Sequence, residues 1–376
     1  MTLPFDTGPL AFRLREGRPP RLDGSRETFT VDARHVGGHV REAVVTADDG
    51  GSAWRMLSDE GLHLKGTDLA PFPFGYFNAG LQGDLMRCIR KAAAGQGVAL
   101  DSLEIVLDNE YWLTGSFALG TGQGHAEPTR IQIDVRSRAP ADIIATVIAA
   151  AVEASPALAL LRTPLVNTFA LYINGRRRAV ADVVASPAAD VVDPFLRYQA
   201  PPRASAGGLA AIEKLSARED GEITIAPSAT TTRITRKVTG RGRLADAQGM
   251  TAIETWLQLP GMSHFAFRSD EGGSDRAPCG LALLSAGLAF CYMTQIARYV
   301  EAMKLAVGSV RLVQFSPFRA GAAEGFDTHL FLNGEAGDDV QTNLLTIAAR
   351  TCYLHATMAA TLPPVVSIKH NDRPLA

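Results

Sequence analysis

The chain has 376 residues, 46% hydrophobic and 20% charged. Ample apolar material excludes a disordered or fibrous chain, and the length exceeds what one ordinary core holds, so two domains are expected. A formal net charge of −2 gives no reason to expect nucleic acid or an acidic membrane surface as a partner.

The opening Met1-Thr-Leu-Pro-Phe-Asp-Thr-Gly8 has neither a basic nor an apolar leader region, so a cytoplasmic protein is expected. Up to about residue 50, short apolar clusters alternate with turn residues: Leu10–Leu14, Thr28–Val31 and Ala43–Ala47 read as antiparallel strands. After Trp54–Glu60 and Ala70-Pro71 comes a helix through Phe77–Cys88, then strands at Leu103–Leu107 and Arg130–Val135. Between those strands Gly120-Thr-Gly-Gln-Gly124 runs towards Pro128 and a strand, so it reads as a hairpin loop, not a phosphate cradle. A second helix spans Ala141 to about Leu161, followed by a strand from Val166 to Asn174 and Arg176-Arg-Arg178 at its end. Prolines and glycines from Ser186 to Gly208 mark a linker.

The same order then returns. Ser58-Asp-Glu60 reappears as Ser269-Asp-Glu271, Ala70-Pro71 as Ala277-Pro278, and Ala79-Gly-Leu81 as Ala286-Gly-Leu288, the last two pairs at one spacing of 207 residues. Asn174-Gly-Arg176 corresponds to Asn371-Asp-Arg373 at a spacing of 197. Two copies of a strand–helix–strand–helix–strand module are expected: residues 1–186, a linker at 187–204, and residues 205–376. Each copy is expected to be α+β, a curved antiparallel sheet against a long central helix, the two packed as a pseudo-dimer within one chain. The second copy's central helix, Gly280–Arg298, is apolar on nearly every face. A membrane span is the competing reading, diluted by Pro278, Gly280, Thr294 and Gln295.

The four cysteines, Cys88, Cys279, Cys291 and Cys352, are too sparse for a disulfide scaffold and lack zinc-like spacing. The repeat sets Cys291 against Asp84 and Cys352 against Ser155, so only the second copy has a thiol on both helices. Such cysteines are either buried core residues or a reactive pair. Cys88 reads as core filler, and Cys279 as a small residue at a turn or a thiol at a helix start. His264, His329 and His355 have no metal-ligand spacing, and Ser285 lacks a hydrolase elbow. Asp84 inside an apolar helix needs a partner, so it either pairs with Arg87 or marks a changed pocket.

Ala286-Gly-Leu-Ala-Phe-Cys291 and Ala348-Ala-Arg-Thr-Cys352, each on a helix among strands, resemble the OsmC/Ohr family of osmotically inducible and organic hydroperoxide resistance proteins. The likeness covers about 10–176 and 210–373. In the first copy Ser155-Pro156 stands where the family usually has Cys-Pro. Members are intertwined homodimers with an α+β fold, so the resemblance implies intramolecular pairing of the two halves. It implies reduction of a small organic hydroperoxide by Cys291 and Cys352, an external dithiol reductant, and no metal, haem or flavin. It also implies an arginine from the N-terminal strands, nearest matched by Arg241 with Arg243 close behind, and an acidic residue where this chain has Leu281. Cys291, in the more apolar helix, is expected to attack and Cys352 to resolve. The rival expectation is a non-catalytic protein holding a small apolar ligand between the halves.

Overall fold

The computed structural model describes residues 8–194 except 49 and 118, residues 210–216, and residues 234–375 except 260 and 262. Most of the expected linker, residues 195–204, therefore lies outside the described residues.

Both long helices are set by local chemistry. Helix α1 (Pro73–Gly95) starts with proline at its first position, where the missing N–H has no helical partner to lose, and stops before Gly97, whose φ is +66°. The helices α2 (Ala141–Ala154) and α3 (Pro156–Arg162) replace the one continuous helix expected there. They bend by 74° at Ser155, because Pro156 disfavours a helical conformation in the residue before it. Ser155 is extended at ψ 114°, and its hydroxyl accepts from the Leu158 amide, capping α3. In the second half, α4 (Gly280–Met303) ends as Lys304 turns left-handed, while α5 (Asp338–Thr351) and α6 (Tyr353–Ala359) break at Cys352 in the same way, ψ 113°, without a proline.

The sheets explain how the halves join. The sequence reading placed one antiparallel sheet in each half; instead each sheet draws strands from both. The first runs Ala11–Arg15, Ala53–Ser58, Val40–Ala47, Glu27–Gly37, then crosses to Val307–Arg319 and Asp327–Gly334 before returning to Thr168–Ile173 and Val184–Ala185. The second runs Ile212–Lys214, His264–Asp270, Met250–Leu259, Ile234–Leu244, then Ser102–Thr114 and Arg130–Arg136, then Val365–His370 and Arg373–Leu375. The first seven strands of the two orders match with the halves exchanged; the counterpart of Arg373–Leu375 is Arg176–Arg178, which also pairs antiparallel with Thr168–Ile173, and Val184–Ala185 has no match. The junctions Glu27–Gly37 with Val307–Arg319, and Ile234–Leu244 with Ser102–Thr114, are antiparallel. Thr168–Ile173 is parallel to Asp327–Gly334 and Val365–His370 to Arg130–Arg136, since each arrives after a helical crossover. The matching pairs Asn174-Gly175 and Asn371-Asp372 turn the closing hairpins with φ between +48° and +77°, the conformation that two-residue hairpin loops require. The Gly120–Gly124 stretch joins Ser102–Thr114 to the paired strand Gln123–Ala126, a hairpin as expected.

Between the sheets α1 and α4 lie against each other, α1 on the sheet that the second half begins and α4 on the sheet that the first half begins. Small residues permit the contact. A Cβ on Gly80 would stand 2.5 Å from Leu284 Cβ, and one on its counterpart Gly287 would stand 2.8 Å from the Phe77 nitrogen. Every residue of α4 from Gly280 to Ile296 is buried, so its apolar surface faces protein on all sides.

Candidate active site

Cys291 sits midway along α4 and Cys352 at the break between α5 and α6, and this placement brings their sulfurs to 3.3 Å as free thiols. Both are buried, at 1% and 0% exposure. His355, one turn into α6, puts Nδ1 3.2 Å from the Cys352 sulfur.

Thr294 follows Cys291 by three residues, hence on the same helix face, and its hydroxyl donates to Glu60 Oε1 at 2.5 Å. Glu60 follows the strand Ala53–Ser58, and its loop is pinned by Asp59, whose carboxylate accepts from the amides of Glu60, Thr67 and Leu69. Arg41, on Val40–Ala47, lies 3.5 Å from Glu60 and is fully buried, and none of its three guanidinium nitrogens has a hydrogen-bond partner among the described residues. Burial lowers its pKa, while Glu60, Asp59 and the Cys291 sulfur all favour its charge. Glu60 is raised by burial and pulled back by Arg41 and the Thr294 hydroxyl.

The thiols divide their proton unequally. Burial pushes Cys291 well up, and its hydrogen bond with Cys352 adds to the rise. Burial opposes ionisation of Cys352 too, but the contact with Cys291, the His355 ring and the His355 amide outweigh it and hold Cys352 well below the ordinary thiol range.

A narrow pocket reaches Cys291 past Phe72, Phe74, Leu257 and Tyr353, with Arg236, Arg298 and His63 around it. Its space for water-sized groups is about 20 Å³, enough for one such group. Burial and the two arginines depress His63 to about 3.

The repeat carries this constellation to a second place, where the glutamate is kept and both thiols, the strand arginine and the threonine have changed. Asp84 stands for Cys291 and Ser155 for Cys352, with Ser155 Oγ donating to Asp84 Oδ2 at 2.6 Å. Thr251, opposite Ser269 as Arg41 is opposite Ser58, replaces the strand arginine, and Arg87 in the position of Thr294 supplies the cation and pairs with Asp84. Glu271, the counterpart of Glu60, accepts from Ser269 Oγ and the Gly280 amide, both at 2.6 Å, and lies 4.0 Å from Arg87. This is a closed buried ion network without a nucleophile.

No family model matches the chain, nor does any curated protein. One solved structure aligns with part of it. That structure is the crystal structure of an OsmC-like hydroperoxide resistance protein from Jannaschia sp. CCS1, at 22% identity and a TM-score of 0.25, covering 37% of this chain and 95% of that one.

Among the expected site residues, the structure brings Cys291 and Cys352 together and leaves Arg241 outside. Arg241 is half exposed on the strand Ile234–Leu244, 3.5 Å from Glu104, and does not line the pocket beside Cys291. The physical reason is the strand exchange: the N-terminal strands beside α4 belong to the first half, so the arginine near Cys291 is Arg41 and the nearby carboxylate is Glu60. Leu281 is core at the start of α4. The signals missed were a charge at an inward position of an apolar strand and the repeated Ser-Asp-Glu, which held both Glu60 and Glu271. Cys279 begins α4 but is raised well above the thiol range by burial and Glu271, and Cys88 is raised by burial and Asp84, so neither is reactive. Among the described residues no three His, Cys, Asp or Glu side chains gather as a metal site; His264 and His329 serve Ser216 O and Asp327.

Proposed function

We propose that the chain reduces organic hydroperoxides in a reducing compartment such as the cytoplasm, as two tandem OsmC-like copies, 1–186 and 205–376, of which only the second keeps its thiols. The observation that carries this reading is the free Cys291–Cys352 pair at 3.3 Å beside a buried arginine whose donors have no partner. A sulfur pair at that separation closes to a bond of about 2.05 Å with a small shift.

Cys291 faces the pocket, so it meets the peroxide. Its proton passes to the Cys352 thiolate, and the Cys291 sulfur attacks the peroxide's terminal oxygen. The O–O bond breaks, the alkoxide leaves and takes up a proton, and Cys291 becomes a sulfenic acid. Arg41 stabilises the negative charge while it resides on Cys291. Cys352 then attacks the Cys291 sulfur and releases water, and an external dithiol returns two electrons to the disulfide. The sulfurs carry both electrons, so the cycle calls for no metal, haem or flavin. Phe72, Phe74 and Leu257 suit the hydrocarbon part of the peroxide.

Intact-mass measurement after one equivalent of an organic hydroperoxide tests this. The native chain is expected to lose two hydrogens, Cys352→Ser to gain one oxygen, and Cys291→Ser to stay unchanged. Gain of oxygen by Cys291→Ser instead would exchange the roles. Oxidation of every form no faster than a free thiol would leave a non-catalytic binding protein.

A further inference from the structure

Each cycle of the proposed reaction leaves Cys352 holding a proton that it must lose before it can attack, yet its sulfur has no contact with solvent. An open groove of about 560 Å³, which shares no lining residue with the peroxide pocket, is lined by Trp112, His125, Val166, Val184, Ala359 and His355. His355 therefore stands between the groove and the sulfur pair. Its Nδ1 is 3.2 Å from Cys352, and its buried Nε2 has no partner among the described residues. The rings of Tyr292 and Phe169 hold the imidazole at centroid distances of 5.2 and 5.7 Å.

The repeat supplies an internal control. The position matching His355 is Leu158, fully buried at the site where Asp84 and Ser155 replace the thiols. Leucine fills that place in the same helix break, so packing does not demand an imidazole. The imidazole occurs where the sulfurs occur.

We infer that His355 is a catalytic residue, the base that takes the Cys352 proton and passes it on towards the groove, so that proton traffic and peroxide use separate openings. The inference rests on the peroxide reading for its context. In the step, Nδ1 accepts the Cys352 proton, and the Cys352 sulfur forms the S–S bond to the Cys291 sulfenic sulfur. The S–O bond breaks, and the hydroxide leaves and is protonated to water. The imidazolium then loses its extra proton towards the groove that His355 lines, in a brief opening that lets water reach its buried Nε2. On reduction, the dithiol's two electrons reopen the disulfide, one of its protons goes to Cys291, and the other leaves through His355, restoring the Cys352 thiolate.

His355→Leu, the residue the first half already uses, is the first variant. Peroxide should oxidise Cys291 as fast as in the native chain, while disulfide formation slows about a hundredfold or more, so that a sulfenic-acid trap labels the variant and not the native protein. In His355→Ala, added imidazole entering from the groove should restore resolution. A second arm needs no peroxide: in a Cys291→Ser background, Cys352 should react with an uncharged dipyridyl disulfide more slowly once His355 is Leu. If the native chain forms no disulfide with peroxide, the hydroperoxide reading fails, and the second arm still decides the role of His355. Equal rates with and without His355, or a slow His355→Ala that imidazole does not speed, would overturn the inference.

Discussion

Replacing Arg41 separates the electrostatic account of Cys291 from a packing account. Arg41 is fully buried, ion-paired with Glu60 and within electrostatic reach of the Cys291 sulfur. An opposite charge at close range moves a buried thiol by roughly 1–3 pKa units, each unit being about 1.4 kcal/mol. Arg41→Met should therefore slow oxidation of Cys291 by about 10- to 1,000-fold at neutral pH. The same change strands Glu60 without its partner, which destabilises a fold by about 3–5 kcal/mol. The double variant Arg41→Met/Glu60→Gln removes the stranded charge and keeps an acceptor for Thr294, so it should regain stability and not rate. Quenched-flow mass spectrometry in a Cys352→Ser background gives the rate, and urea unfolding gives the stability. A double variant oxidised as fast as the native arginine form would refute the argument, as would an Arg241→Met variant slowed to the same degree.

Glu271 should show in the pH dependence of stability. Burial raises its carboxyl from 4.5 to about 6, so the fold favours the protonated form. The stability this adds is complete below pH 4.5 and is lost as pH rises through about 6, a swing of about 2 kcal/mol. Urea unfolding from about pH 4 to pH 7 should show the native chain losing that much relative to Glu271→Gln; a flat difference contradicts it. Gly80→Ala should cost about 1–3 kcal/mol in thermal or urea unfolding, because its Cβ meets Leu284 at 2.5 Å and the Gly280 carbonyl at 2.7 Å. Unchanged stability would mean that α1 and α4 do not cross at that glycine. Asp84→Asn should destabilise the chain by about 3–5 kcal/mol while peroxide consumption per folded molecule is unchanged; loss of turnover would tie the first half's network to the reaction.

The elements and the thiols were legible because each rests on nearby residues. The apolar run of α4, the hairpin glycines and the repeated tripeptides are local signals, and the shared spacing was enough to set Cys291 against Asp84 and Cys352 against Ser155. Which strand lies beside which helix is not local. Arg241 lies in the half that contains Cys291, whereas the strand carrying Arg41 lies some 250 residues earlier in the chain. The helix break at Ser155 departs from the continuous helix expected over Ala141–Leu161 although Pro156 is a local cause for it, and the same break at Cys352 has no proline at all. Asp84 calls for either a pairing with Arg87 or a changed pocket, and the structure forms the pair.

The exchange of strands also constrains how the chain folds while it is being made. Glu27–Gly37 pairs with Val307–Arg319, so during synthesis the first four strands have an open edge until most of the polypeptide has emerged. Loop-closure entropy must be spent before that pairing returns anything, and folds dominated by such distant contacts form slowly. The edge of Glu27–Gly37 is a template for wrong partners during that interval, including the same strand of a neighbouring nascent chain. Aggregation during expression should therefore track truncations that remove Val307–Arg319 more closely than those that remove only the closing hairpin Val365–Leu375.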